Sequence, residues 1–178
     1  MVRLLVTLLC ALCLAPAAGA GGSATGDGAL SILSGNGWMT IVGKGTIYGQ
    51  LDKGTLTVTD PDPTDGTIQV VGAEQTRPKG LNVTVYTGKN ITFRLVGGRY
   101  KLAIAASTGV DLLAVGVGKA WLRGDPTAPN AGTYTVDGSR RTPIPVAPAT
   151  PPAAGTTWAG VLVPFGSAPP ATTTTASP

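Results

Sequence analysis

Apolar and polar side chains alternate with a period of two along most of the chain, and this spacing predicts strands. Thr55–Thr59 is the clearest case, because leucine and valine alternate there with threonine. No apolar set recurs at three and four residues over three turns, and glycine in a helix interior costs about 1 kcal/mol. The predicted strands, bounded by glycine or Asp-Gly, are 39–42, 46–48, 55–59, 67–71, 81–86, 91–95, 99–104, 110–117, 119–122 and 133–136.

This pattern predicts one all-β domain over residues 29–140, a β-sandwich or partly closed barrel of short antiparallel strands. Residues 87–90 are predicted to form a hairpin loop, and Gly97-Gly98 a second, two-residue hairpin. The tripeptide Gly-Thr-Ile or Gly-Thr-Leu begins at positions 45, 54 and 66. This repetition makes a β-solenoid an alternative, although the spacing is unequal.

The first twenty residues have the pattern of a signal peptide. Arg3 precedes an apolar run over residues 4–14, and Ala18-Gly19-Ala20 offers a small-residue cleavage site. The apolar run is shorter than the roughly 20 residues that a membrane span needs, so no transmembrane segment is expected after cleavage. Cleavage after Ala20 would remove Cys10 and Cys13, so the mature chain would contain no disulfide. The sequence therefore predicts a secreted or cell-envelope protein with a flexible lead-in over residues 21–28.

The composition changes again at the carboxyl end. Residues 141–178 are rich in proline and threonine and contain no acidic residue, which predicts a flexible tail. One apolar segment, residues 156–165, interrupts it. Because proline is tolerated only on edge strands, Pro164 makes this segment a candidate edge strand.

A resemblance adds to this picture. Phe93 is followed by Gly97 and the run Gly98–Leu102, and glycines recur at 43, 45 and 49. These features are similar to exported glycine-rich all-β proteins of high-GC actinobacteria that have no assigned function. The resemblance covers about residues 43–138 and implies a bacterial envelope protein, but it carries no site residue across.

Several chemistries are excluded by composition. The chain contains no histidine, which removes Ser-His-Asp catalysis and histidine-ligated metals. The net charge of +4 includes Arg3 and is spread along the sequence, so neither a basic stripe nor nucleic-acid binding is expected. We expect no cofactor, no catalytic residue and no enzymatic activity. A carboxylate-dependent hydrolase is the third-ranked function, and Asp111, within an apolar run, is interpreted as facing solvent or ending a turn.

Asp60, Asp62 and Asp65 form the most acidic segment of the chain. Carboxylates in a short loop that ends in glycine are what calcium prefers, so these three residues are calcium candidates. Aspartate, proline and glycine are also good turn formers, and a turn without metal is the favoured interpretation.

The aromatic residues supply the remaining candidate site. The candidates for an exposed platform that stacks on sugar rings are Trp38, Trp121 and Trp158, with Tyr48, Tyr86, Tyr100 and Tyr134, and filling the core is the ordinary alternative. The first hypothesis is therefore a non-catalytic structural or binding protein at the cell envelope, with an envelope polymer or protein as partner. The second is a carbohydrate-binding module that uses these aromatics. The Arg123-Gly124-Asp125 tripeptide and the Asn82 and Asn90 glycosylation patterns are attributed to chance.

Overall fold

The computed structural model of the chain describes residues 27–146 and 160–166. Within these residues no helix is long and apolar enough to cross a membrane. The predicted signal peptide with both cysteines, the lead-in up to residue 26, Trp158 and residues 147–159 and 167–178 of the tail lie outside the described residues.

The described chain is all-β, as the alternation predicts. One antiparallel sheet has the order β2-β3-β1-β4-β7, with β5 on β1 and β6 on β5, and it is not closed into a barrel. The seven strands are β1 (Gly28–Thr59), β2 (Gly66–Pro78), β3 (Val83–Gly97), β4 (Arg99–Gly124), β5 (Thr133–Val136), β6 (Thr142–Pro143) and β7 (Val161–Phe165).

Several of the predicted short strands are continuous in the structure. Three of them lie in the 32-residue β1, and three more lie in β4. The predicted hairpin loop at residues 87–90 is wrong, because β3 runs through it and bends at Asn90, where φ is 54°. The predicted hairpin at Gly97-Gly98 is also wrong, because β3 and β4 lie one after the other along the same edge of β1.

The two longest strands pair with each other twice. Ile41 has Leu102 as its partner on one side and Ala120 on the other. The β1–β4 ribbon is therefore coiled, so that each turn forms hydrogen bonds with the previous one. Since every pairing between the named strands is antiparallel, the parallel β-solenoid alternative is wrong for the described residues.

Glycines allow the ribbon to bend. Gly45 and Gly116 are direct partners where β1 and β4 cross, with φ of 140° and 138°. A Cβ on Gly45 would collide with the carbonyl oxygen of Val115, and one on Gly116 with that of Lys44. Both the dihedral angle and the close backbone approach therefore require glycine.

The bends divide the strands between two layers. The first layer contains residues 28–35 and 45–53 of β1, 108–116 of β4, 89–97 of β3, 66–71 of β2, and β5. The second layer contains residues 37–44 and 54–59 of β1, 99–107 and 117–124 of β4, 83–88 of β3, 73–78 of β2, and β7. The result is a β-sandwich-like arrangement in which most strands contribute to both layers.

One apolar core fills the space between the layers. Leu30 and Ile32 point into it from the first layer, and Met39 and Ile41 from the second. The change from even to odd positions follows a register shift between Ile32 and Gly35, because one extra residue turns the alternation over. The described part of the apolar tail segment joins this core: β7 pairs with β4 at the edge of the sheet, and Phe165 is fully buried.

Candidate functional site

The two described tryptophans lie on the outer surface of the second layer and pack against protein groups. Both are half-buried, and the guanidinium carbon of Arg123 lies 4.1 Å from the Trp38 ring centroid and 5.9 Å from that of Trp121. The backbone of Gly160 lies close to Trp121, since a Cβ there would be 2.8 Å from its ring. Trp38 and Trp121 therefore stack within the protein, and the third candidate, Trp158, lies outside the described residues.

The tyrosines differ sharply in exposure. Tyr100 is buried, while Tyr86 and Tyr134 pack against the core. Tyr48 is 42% exposed. Of the seven aromatic candidates, Tyr48 is thus the described ring most open to a ligand.

The acidic segment forms a hydrogen-bonded loop. Asp62 Oδ1 accepts hydrogen bonds from the hydroxyl of Thr64 at 2.6 Å and from its backbone N–H at 3.1 Å, and these two bonds hold the pKa of Asp62 below its ordinary value. Asp60 accepts from the N–H of Asp62, and Asp65 accepts from the N–H of Arg99. In residues 27–146 and 160–166, no three acidic side chains form a group that could hold a metal ion.

The Arg123-Gly124-Asp125 tripeptide is likewise engaged internally. Asp125 Oδ1 accepts hydrogen bonds from the backbone N–H and the hydroxyl of Thr127 at 2.8 and 2.7 Å, and these bonds lower its pKa. Arg123 is stacked between the tryptophans. The tripeptide is therefore not displayed as an exposed recognition loop.

A row of three depressions crosses the outer surface of the first layer. The first, of about 240 Å³, is lined by β2 and β3 residues that include Gln69 and Arg94. The second, of about 320 Å³, contains Tyr48, and the third, of about 680 Å³, contains Asn130. Leu33 and Asp111 line both the second and the third, so we call the whole row the groove.

Strand alternation and register place the side chains in the middle of the groove. Ile47 and Leu51 point into the core, so Tyr48 and Gln50 point out between them. Their cross-strand partners on β4 also point outward: Tyr48 lies opposite Leu113, and Gln50 lies opposite Asp111. An aromatic–aliphatic pair therefore lies next to an amide–carboxylate pair on one surface.

Asp111 is held in place by two hydrogen bonds. Its Oδ1 accepts from the backbone N–H of Ser34 at 2.8 Å, and its Oδ2 accepts from Gln50 Nε2 at 3.3 Å. Ser34 has φ of 52°, a conformation that costs a residue with a side chain about 1–3 kcal/mol unless its surroundings fix it. The Asp111 carboxylate thus stabilises a strained bend at the groove. Asp111 lies on the outer surface of the sheet, in agreement with the prediction that it faces solvent.

Side-chain contacts also fix the ends of the groove. Asn36 Nδ2 donates to the carbonyl oxygen of Asn130 at 2.9 Å, which holds the loop before β5 against β1. At the other end, the Arg94 guanidinium lies 5.3 Å from the Tyr48 ring centroid. Both ends therefore carry polar groups, while the middle combines the Tyr48–Leu113 pair with the polar Gln50–Asp111 pair.

Sequence reasoning named Tyr48 and Asp111 separately and did not predict that they share a site. It missed Gln50, Leu113 and Leu33. The available signal was the alternation in residues 46–50, which puts Tyr48 and Gln50 on one face without revealing whether that face is inside or outside.

Comparison with protein-family models, curated proteins and solved structures finds no match to this chain.

Proposed function

We propose that the protein is a non-catalytic binding module that acts outside the cell and binds a glycan chain of the cell envelope in the groove. The observation that carries this proposal is the pairing of Tyr48 with Leu113 beside the pairing of Gln50 with Asp111. This is the carbohydrate-binding hypothesis from the sequence, with Tyr48 instead of the tryptophans as the aromatic side chain that contacts the sugar.

The physical chemistry of these groups suits a sugar. A sugar ring has an apolar C–H surface, which packs on an aromatic or aliphatic side chain, and hydroxyls at its rim. Gln50 supplies both a donor and an acceptor, and Asp111 supplies acceptors, so the pair can bind neighbouring hydroxyls. All four side chains lie on strands, which hold them rigidly.

The length of the groove suits a polymer. It crosses six strand segments from β2 to β5, which at about 4.8 Å per strand span about 24 Å. The three depressions lie in a row across this width. An extended chain fits such a row better than a compact metabolite does.

Two further observations favour binding over hydrolysis and a location outside the cell. Glycosidases use two carboxyl groups about 5–9 Å apart, whereas the described lining of the groove contains one carboxylate, Asp111. Residues 1–20 have the signal-peptide pattern described above.

The test is a binding measurement on the secreted protein with isolated cell wall and a panel of neutral polysaccharides. We expect Tyr48→Ala to weaken binding by at least about tenfold, equivalent to about 1.4 kcal/mol, and Tyr48→Phe to retain it, because the ring supplies the stacking surface. Leu162→Ala is the matched control, since Leu162 is 62% exposed on β7, away from the groove.

The proposal fails if the wild-type protein binds neither the wall nor any polysaccharide. It also fails if Tyr48→Ala binds as tightly as the wild type, because the groove would then not be the binding site.

A further inference from the structure

Four cations gather on the outer surface of the second layer, although they are far apart in the sequence. Lys44 is the direct cross-strand partner of Arg99, and Val42 has Lys101 on one side and Lys119 on the other. All four cationic side chains are exposed. We call Lys44, Arg99, Lys101 and Lys119 the basic face. The sequence predicts no basic stripe, and these four residues come together because the coiled register makes distant positions neighbours.

Within the described ranges, no acidic side chain lies on the part of this surface that β1, β4 and β7 form. The outward positions of the second layer in β1, β4 and β7 contain none: they are 38, 40, 42, 44, 55, 57 and 59, then 99, 101, 103, 105, 117, 119, 121 and 123, then 162 and 164. Two carboxylates lie near Arg99, at the border of the basic face: Asp65 accepts from the backbone N–H of Arg99, and, after the hydrogen bonds from Thr64, the charge of Arg99 contributes to the lowered pKa of Asp62. Among the described residues, Lys44, Lys101 and Lys119 have no ion-pair partner.

This arrangement opposes folding rather than supporting it. Like charges directly opposite each other destabilise a sheet, and the Lys44–Arg99 pair is such a case. Rigid strands keep the charges close: neighbouring strands are about 4.8 Å apart, so the Lys101 and Lys119 backbones, on either side of Val42, are about 10 Å apart. A polymer that carries an anion at each repeat would relieve this repulsion.

We propose that the basic face binds an anionic glycan, one whose sugar repeats carry carboxylate or phosphate groups. This surface is separate from the groove, because it lies on the outside of the opposite layer, and the proposal does not depend on what the groove binds. Lysine ammonium groups act as point charges that accept either anion, so the shared chemistry is negative charge at regular intervals along a sugar chain.

The surroundings of the lysines favour a glycan over nucleic acid or a membrane. Single-stranded nucleic acids stack their bases on open aromatic rings, but Trp121, the ring nearest Lys119 on β4, packs against Arg123 and Gly160. A membrane surface would favour large protruding apolar groups such as phenylalanine or tryptophan. The apolar side chain between Lys101 and Lys119 is the smaller Val42, which is 49% exposed, and Thr59 lies opposite Lys101. A small apolar side chain and a hydroxyl beside fixed cations fit a hydrated, charged sugar chain.

The test compares two triple variants of the full-length secreted protein that lose the same net charge. The first is Lys44→Gln, Lys101→Gln and Lys119→Gln. The control is Lys53→Gln, Lys79→Gln and Lys89→Gln, which removes three exposed lysines from outside the basic face. The probes are polygalacturonate, phosphorylated dextran, neutral dextran, a single-stranded DNA oligonucleotide and vesicles with anionic phospholipid.

We expect the wild type to bind at least one of the two anionic polymers and not neutral dextran through this face. The affinity should fall at least about tenfold as salt rises from about 50 to about 500 mM, because ions screen the attraction. The basic-face variant should lose at least about tenfold, and the control should stay within about twofold of the wild type. Tyr48→Ala should bind the anionic polymer normally, which separates this proposal from that for the groove.

Four outcomes would overturn the inference. The first is equal loss in both triple variants, since net charge alone would then explain binding. The second is tighter binding of the DNA or the vesicles than of both polymers. The third is wild-type protein that binds neither polymer. The fourth is a Tyr48→Ala variant that loses binding of the anionic polymer as well.

Discussion

Replacing Phe165 with alanine tests whether β7 belongs to the folded domain. Phe165 is fully buried, and its ring packs over Gly118, where a Cβ would lie 2.7 Å from the ring. Removing a buried phenylalanine side chain costs about 3–5 kcal/mol, from lost burial and the cavity left behind. For a domain of this size, 1 kcal/mol lowers Tm by about 3 °C, so Phe165→Ala should lower Tm by about 10 °C.

The assay is thermal and urea unfolding followed by circular dichroism, with Leu162→Ala as the matched control on the same strand. Leu162 is 62% exposed, so its truncation should change stability by less than about 0.5 kcal/mol. The urea m-value should be unchanged in both variants, because the same surface is exposed on unfolding. If the two variants melt together with the wild type, β7 is not docked on β4 in solution and the edge assignment is wrong.

Two other predictions concern the bends and the core. Gly116→Ala should destabilise the protein by about 3 kcal/mol or more in urea unfolding, because a Cβ would collide with the Lys44 carbonyl oxygen. Gly80→Ala is the control: Gly80 has φ of 100° and no atom within 4 Å of a Cβ, so this change should cost only about 1 kcal/mol of backbone strain. If both variants lose the same free energy of unfolding, β1 and β4 do not approach each other closely at Gly116. Tyr100→Phe should stabilise the protein by about 1 kcal/mol at neutral pH, because the Tyr100 hydroxyl is buried with no hydrogen-bond partner among the described residues. Burial also raises the pKa of Tyr100 to about 12 from 10.0. The stability that depends on the neutral Tyr100 hydroxyl is therefore full below pH 10 and is lost as pH rises through 12. Urea unfolding at pH 7 and above pH 10 should show this loss in the wild type and less of it in Tyr100→Phe. A less stable variant at neutral pH, or an identical alkaline decline, would contradict this.

The sequence predicts the strands well because alternation is a local signal. Residues 55–59 and 91–95 each lie within a strand with the expected inward positions buried. Leu81 is the exception. The sequence pattern places it in a strand, but β3 begins at Val83, and Leu81 is 93% exposed before the turn at Asn82, where φ is 58°.

The continuity of the strands could not be read from the sequence, because glycine ends a strand in most proteins and only bends it here. The spacing of nine residues between Gly45 and Gly54 is the distance from one bend of the ribbon to the next, with φ of 140° and 148° at the two positions. The same spacing led to the β-solenoid alternative. To decide between the turns of a solenoid and a coiled antiparallel ribbon, one must know which strand pairs with β1. Pairings between residues more than twelve positions apart are not indicated by the local sequence.

Both candidate surfaces depend on that long-range register. Gln50 and Asp111 are 61 residues apart, and no local pattern indicates that they are partners. Lys44 and Lys119 each appear in the sequence as an isolated charge between small and apolar residues. A shift of either strand by one residue would move that strand's outward side chains to the core face, so their placement is as specific as the packing of the core.

The layered arrangement keeps the groove and the basic face electrostatically separate. They lie on opposite outer surfaces of the two layers, whose backbones are about 10 Å apart, and side chains on each surface extend further into solvent. The Debye length at physiological salt is about 8 Å, so the lysines of the basic face act only weakly on Asp111. Both surfaces are nevertheless built on the same two strands, since Tyr48 and Lys44 lie in β1 while Asp111 and Lys101 lie in β4. The bends at Gly45 and Gly109 lie between them along the chain, and it is these bends that turn one ribbon into two surfaces of different chemistry.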